Sequence, residues 1–249
     1  MIAPFMAAMG APDAGARPLA EVKSRGVLAL CANPSALPYA SDKPDAPGFQ
    51  VEIARALAAG IGVELEIDWI VPRMRAATVD CDVLLDTIAL PDIDGPRLRL
   101  SHPYQSSGVA LGLARGVEGI RTFGDLKREQ RVGTMVGSLA SVVLGKRGLV
   151  TVPYAFEDEM VDDLAKGALQ AAACSPATIA FFRHVHPDSG IALVHAYEDE
   201  PELRWNVAVG MRRADDALVD AINKALDTLI ADGTLERIYA HYGVEYRKP

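Results

Sequence analysis

The stretch WNVAVGMRRADDALVDAINKALDTLIADGTLERIYAHYG, residues 205–243, joins one strand to two helices. WNVAVGMRR is an apolar strand. In the segment after it, Leu218, Ile222, Ala225 and Leu229 recur at helical spacing, which makes one face apolar, and Gly233 stops the helix. TLERIYAHYG then gathers Leu235, Ile238, Tyr239 and Tyr242 on one face of a second helix.

Outward from this end, helix and strand patterns alternate. LAEVKSRG reads as a short helix closed by Gly26, and VLALCA as a strand apolar on both faces, as inside a parallel sheet. Val51, Ala54, Leu57, Ala58 and Ile61 mark a helix ended by Gly60 and Gly62. VELEIDWIV alternates Val63, Leu65, Ile67 and Trp69 as a half-buried strand, and CDVLLDTIA is an apolar strand interrupted by Asp86. SHPYQSSGVALGLARG is expected to form one long strand, after which a second α/β unit begins. In that unit FGDLKREQ reads as a helix, RVGTMVGS as a strand meeting a glycine turn, EDEMVDDLAKG as a helix, and ALQAAACSP as a buried strand. ATIAFFRHV starts a further helix and IALVHAY a strand.

The 249 residues, half of them hydrophobic, suffice for one large domain or two lobes. A net charge of −8 without a basic cluster excludes nucleic acid as a partner. No apolar run is long enough to span a bilayer. Residues 1–17 read as the remnant of a secretory leader, with an A-x-A site at Ala14-Gly15-Ala16, or as a disordered tail. Cys31, Cys81 and Cys174 have no metal spacing and sit in apolar runs, so buried thiols are the favoured reading. Cys31 and Cys81 could lie on adjacent strands, and sequence leaves their pairing open. His184, His186 and His195 lack a third ligand at a recognised spacing and read as surface histidines.

Taken in order over residues 18–246, these segments resemble the family 3 solute-binding proteins, which are type II periplasmic binding proteins. The resemblance implies an α/β fold of two lobes, each a mostly parallel sheet flanked by helices. Residues 18–106 plus 208–249 would form lobe 1 and 107–207 lobe 2, with two hinge strands near 105–110 and 203–209 and a ligand cleft between the lobes. CANPSALPYA, residues 31–40, would line the first lobe's side of that cleft, where open α/β sheets bind ligands at the carboxyl ends of their strands. The CANPSALPY loop, GF before the helix and CDV opening the third strand are similar to the XoxJ/MxaJ branch associated with quinoprotein dehydrogenases. The segment PRMRAATVD is shorter than that branch's, and GFQVEI lacks its acidic residue.

The resemblance also implies where an α-amino acid would be clamped: an Arg at the position of Asp94 and an acid at that of Ser175. Both halves are absent, so α-amino acids are poor candidates. The candidate ligand-binding residues are Asn33, Tyr39, Phe49, Asp86, Thr87, Tyr104, Ser138, Ser141 and Ser175. Asp86 interrupts an apolar strand near its carboxyl end, where a carboxylate needs a partner or a ligand. Thr87 lies on the opposite face if that strand is regular. Ser138 and Ser141 begin a helix and could present hydroxyls and amides, or serve as plain caps.

No catalytic, metal or cofactor motif occurs. The expected function is that of a periplasmic, monomeric, non-enzymatic binding protein accessory to a pyrroloquinoline-quinone (PQQ) alcohol or methanol dehydrogenase. The alternatives are the solute-binding component of an ABC importer, acting with its permease on a small non-amino-acid solute, and a cyclohexadienyl dehydratase-like enzyme using Glu157, Glu159 or Asp86 as its acid.

Overall fold

A computed structural model describes residues 18–70, 81–90, 94–95 and 97–249. The leader or tail assigned to residues 1–17 and all of PRMRAATVD lie outside the described residues. The chain folds into two lobes, each a mixed sheet with helices packed against it.

The first sheet has the order β4-β1-β5-β13-β6, where β1 is Val27–Ala32, β4 Glu64–Trp69, β5 Val83–Ile88, β6 Leu98–Leu100 and β13 Arg204–Arg212. β1 runs parallel to β4 and β5, whereas β13 is antiparallel to β5 and β6. β13 also pairs with β7, Gln105–Gly108. Helices α1 (Leu19–Arg25), α2 (Phe49–Ile61), α6 (Asp216–Ala231) and α7 (Thr234–His241) cover this sheet. Leu218 and Ile222 of α6 are fully buried, as their spacing predicts, and so is Leu226; each stabilises the fold by about 1.5–3 kcal/mol.

The second sheet has the order β10-β9-β11-β8-β12: β8 is Ala110–Leu113, β9 Val132–Met135, β10 Thr151–Tyr154, β11 Ala171–Cys174 and β12 Ala192–Val194. Helices α3 (Leu139–Lys146), α4 (Glu157–Ala165) and α5 (Pro176–Val185) pack on it around a separate core that includes Leu111, Val132, Met160 and Leu164. The chain passes from one sheet to the other at Gly108–Val109 and returns at Leu203–Arg204, where the Val109 N–H donates to the Leu203 carbonyl at 2.9 Å.

Three local expectations change. The long strand expected over 101–116 is broken, because the chain leaves the first sheet after β7 and enters the second at β8. FGDLKREQ forms only a one-turn 3-10 helix, Phe123–Asp125, in which the Asp125 carboxylate accepts the Arg121 and Thr122 N–H groups and closes the turn. Cys31 and Cys81 are joined in a disulfide, with Cα atoms 5.5 Å apart, rather than being free thiols. Apolar flanking explains burial of these sulfurs but carries no information on pairing; β1 and β5 are neighbours in the sheet, which brings the two together. Asp82, beside Cys81, is fully buried and takes both Arg25 Nη2 (2.8 Å) and the Ala29 N–H (2.8 Å), pinning the start of β5 to β1.

Candidate functional site

The loop after β1 folds back on itself through the short hairpin of β2 (Ser35–Ala36) and β3 (Ala40–Ser41). Its carbonyls cap α2 in place of a side chain: Phe49 N–H donates to Pro38 and Gln50 N–H to Tyr39, each at 2.9 Å. Gly48 makes this possible. Its φ is +90°, and a Cβ there would lie 2.4 Å from the Tyr39 carbonyl oxygen. The result places Tyr39 and Phe49 side by side, ring centroids 4.9 Å apart, above the carboxyl end of the first sheet.

Between the lobes lies a cavity of about 320 Å³. Tyr39, Phe49, Tyr104 and Trp205 form aromatic walls; Asp86 enters from the first lobe and Glu157 from the second. Gln50, Gln105, Ser138 and Ser175 add polar groups, and Leu85, Met135, Leu139 and Cys174 add apolar ones. Among the described residues, no lysine, arginine or histidine lines it.

Six of the nine residues expected from the sequence therefore meet: Tyr39, Phe49, Asp86, Tyr104, Ser138 and Ser175. The other three do not line this cavity. Asn33 uses its side-chain carbonyl to accept the Ser35 N–H at 3.0 Å and faces a neighbouring groove. Thr87 points away from Asp86 by strand alternation, toward Gly210 of β13, where a Cβ would lie 2.3 Å from its hydroxyl. Ser141 is spent on α3: its N–H donates to Ser138 Oγ and its hydroxyl to the Ser138 carbonyl at 2.7 Å.

The hydroxyls of the retained residues are also committed. Tyr104 is 1% exposed and donates to the Leu85 carbonyl, so it offers the cavity its ring. Tyr39 and Ser175 share a hydrogen bond, and Ser175 Oγ also accepts the Ala177 N–H as the cap of α5. Ser138 caps α3. Both serines thus cap helices and line the cavity at once.

The acids differ. Asp86 is open to water through the cavity, but protein surrounds it, and this desolvation raises its pKa above the ordinary carboxylate value; a hydrogen bond from its own backbone N–H opposes the rise in part. It has no side-chain partner among the described residues. Glu157 is raised by desolvation too, against the pull of its partners: Ser175 N–H donates to Oε1 at 3.1 Å and the Thr178 hydroxyl to Oε2 at 2.5 Å. Those two bonds tie α4 to the start of α5 and fix the carboxylate in place. Cys174 is a free, buried thiol raised well above its usual pKa by burial and by Glu157, so it is neutral and unsuited to nucleophilic chemistry.

Trp205 was missing from the expected set, and Glu157 had entered it only as a candidate acid of the dehydratase-like alternative, not as a ligand-binding residue. Trp205 was signalled only by sharing an apolar strand face with Val207. As a ligand-facing carboxylate Glu157 could not be told from its neighbours, because Glu157, Asp158 and Glu159 are three consecutive acids at a helix start, a pattern that the helix dipole alone favours. Asp94, at the position of the missing arginine, accepts the Leu100 N–H and pairs with Arg99 at 3.5 Å, outside the cavity. Arg99 in turn is held by Asp216 at 2.8 Å.

The model of the family described as bacterial extracellular solute-binding proteins, family 3, matches residues 28–245. The chain is 25% identical over 237 residues to membrane-bound lytic murein transglycosylase F of Serratia proteamaculans (strain 568), a match covering 90% of this chain and 47% of that relative. It thus spans about half that relative's length. It is also 25% identical over 211 residues to the lysine/arginine/ornithine-binding periplasmic protein of Escherichia coli (strain K12), covering 80% of each. Among solved structures it is similar in fold to an ancestral cationic amino acid solute-binding protein, with a TM-score of 0.75, 19% identity, and coverage of 90% of this chain and 99% of that one.

Proposed function

The chain belongs to the bacterial extracellular solute-binding proteins of family 3, and from that premise we propose that it captures a small solute in the cavity between its lobes and presents it to the permease of an ABC importer. The observation that carries this is the cavity itself: it is closed by residues of both lobes, so occupancy would favour the closed arrangement over an open one. The proposed motion bends the chain at its two crossings, Gly108–Val109 and Leu203–Arg204. The proposed location is the periplasm. The Cys31–Cys81 disulfide favours an oxidising compartment, and no helix among the described residues is long and apolar enough to cross a membrane.

The named relatives that bind amino acids suggest an amino acid first. Here the described cavity offers a ligand carboxylate no cationic side chain, and it carries two acids of its own, so a free α-amino acid is not the proposed solute. The same acids speak against a dehydratase acting on a dicarboxylate such as prephenate; the proposal is binding without turnover.

The test is titration of the full chain with a solute library, reading Trp205 fluorescence and the radius of gyration. A bound solute should change both. A library in which no solute changes either one overturns the reading.

A second reading, as accessory to a PQQ-dependent alcohol dehydrogenase, is favoured by a groove of about 560 Å³ beside the cavity. The groove is lined by Asn33–Lys43 loop residues with Phe156, Phe181, Phe182 and Val185, and Phe156 is 61% exposed. Aromatic side chains of this kind are enriched in protein–protein interfaces. Interferometry against such a dehydrogenase, with Phe156→Ala as control, tests it; absence of binding by the unaltered chain removes it.

A further inference from the structure

We infer that the cavity is built for a compact organic cation that carries no carboxylate, such as an amine, a diamine or a quaternary ammonium. The inference rests on the solute-binding reading and narrows it to a chemical class.

Three features of the cavity converge. Its formal charges, among the described residues, are Asp86 and Glu157, one from each lobe, with no basic side chain to offset them. Glu157 is positioned by Ser175 and Thr178, whereas Asp86 has no side-chain partner among the described residues and is free to take one from a ligand. Removing two carboxylates from bulk water as the lobes close is unfavourable unless a positive charge enters with them, and a ligand anion would add repulsion.

The walls supply the second feature. Tyr39 and Tyr104 have committed their hydroxyls to Ser175 and Leu85, so with Phe49 and Trp205 they offer the cavity aromatic rings rather than free hydroxyls. Ring faces attract ammonium groups, most strongly where water is excluded. Size is the third. About 320 Å³ lies at the small end of ligand pockets, which suits a molecule of few heavy atoms.

Protonation couples to occupancy. Asp86 is faced by Tyr39 and Tyr104, and Glu157 by Asp158, Tyr39 and Cys174; no cation among the described residues opposes either acid, and desolvation favours their neutral forms. A bound cation favours the ionised forms, so binding should release protons and strengthen as pH rises.

The experiment is calorimetric titration of the full chain with tetramethylammonium, choline and putrescine, alongside arginine, glutamine, succinate and glycerol. At least one of the three cations should bind with micromolar affinity. Asp86→Asn should weaken it at least 30-fold and Glu157→Gln at least 10-fold. Both variants are isosteric, and matching circular dichroism melts would show that they fold; the amide oxygen that Glu157→Gln retains can still accept the Ser175 N–H. Proton release, read from the dependence of the heat on buffer ionisation, should accompany binding. Tighter binding of arginine, glutamine or succinate than of every cation would overturn the inference, as would cation binding indifferent to both substitutions, or no cation binding at 1 mM. Glycerol, succinate or an amino acid binding in place of cations would sink the class while leaving solute capture intact.

Discussion

Tyr39 and Ser175 share a hydrogen bond across the cleft, joining the hairpin after β1 to the cap of α5. The hydroxyl pair is a direct link between the lobes at the cavity wall. Tyr39, with Met135 and Glu157, lines both the cavity and the neighbouring groove. Tyr39→Phe keeps the ring and removes the bond. A bond of this kind contributes about 0.5–1.5 kcal/mol, so solute affinity should fall roughly 2- to 12-fold, and the ligand-free chain should become more open in small-angle scattering. An unchanged affinity and radius of gyration would show that the bond does not hold the closed form.

Much of the architecture was legible because burial imposes a period. VLALCA became β1, buried at every position but its first, and the stripe of Leu218, Ile222, Ala225 and Leu229 became the packed face of α6. Legibility failed where neighbours in space rather than sequence decide. SHPYQSSGVALGLARG is uniformly strand-like, and nothing local marks where it changes sheets. Trp69 continues the alternation of Leu65 and Ile67, but it ends an edge strand and is 37% exposed, with Ile70 buried in its place. At the site, aromatic positions following β1 were readable from where such loops lie. The hydroxyl groups were less so, because Ser138, Ser141 and Asn33 each have a local backbone partner that composition cannot reveal.

The Cys31–Cys81 bridge closes a loop with a sequence separation of 50. On the chain-entropy account, a loop of that length stabilises the fold by about 4 kcal/mol through the unfolded state. Cys31→Ser with Cys81→Ser should therefore lower the denaturation midpoint strongly, and reductant should do the same to the unaltered chain but nothing further to the double variant. Urea melts with and without reductant measure this. Equal midpoints in all four would mean that the bridge does not form in solution.

Gly108 sits at the first crossing between sheets, where the backbone of the second crossing presses against it. A Cβ there would lie 2.4 Å from the Leu203 carbonyl oxygen and 2.5 Å from Cγ of Tyr197. Gly108→Ala should cost about 1–3 kcal/mol by overpacking and should also alter the proposed bending, because Leu203 and Val109 must separate to admit the methyl group. Melting gives the first quantity and stopped-flow solute binding the second. A variant that melts and closes like the unaltered chain would place the hinge elsewhere.

Asp86 sets solute capture against stability. Desolvation raises its native pKa above the unfolded value of about 3.9, so the native state holds that proton more tightly than the unfolded chain does. The resulting stability is fully present below the unfolded value and is lost as pH rises through the raised native one. Above the unfolded value, the native cavity therefore opposes ionisation of this carboxyl. Asp86→Asn removes the titration, so the variant should be more stable than the unaltered chain at pH 7, with the gap closing as pH falls below about 4. Tyr39 and Tyr104, the neighbours that face it, stay neutral throughout this window, their pKa values raised by burial. Urea midpoints at a series of pH values, without solute, test this. Greater stability of the unaltered chain at pH 7 would mean that Asp86 has found a favourable partner there, and it would no longer be the free carboxylate on which cation capture depends.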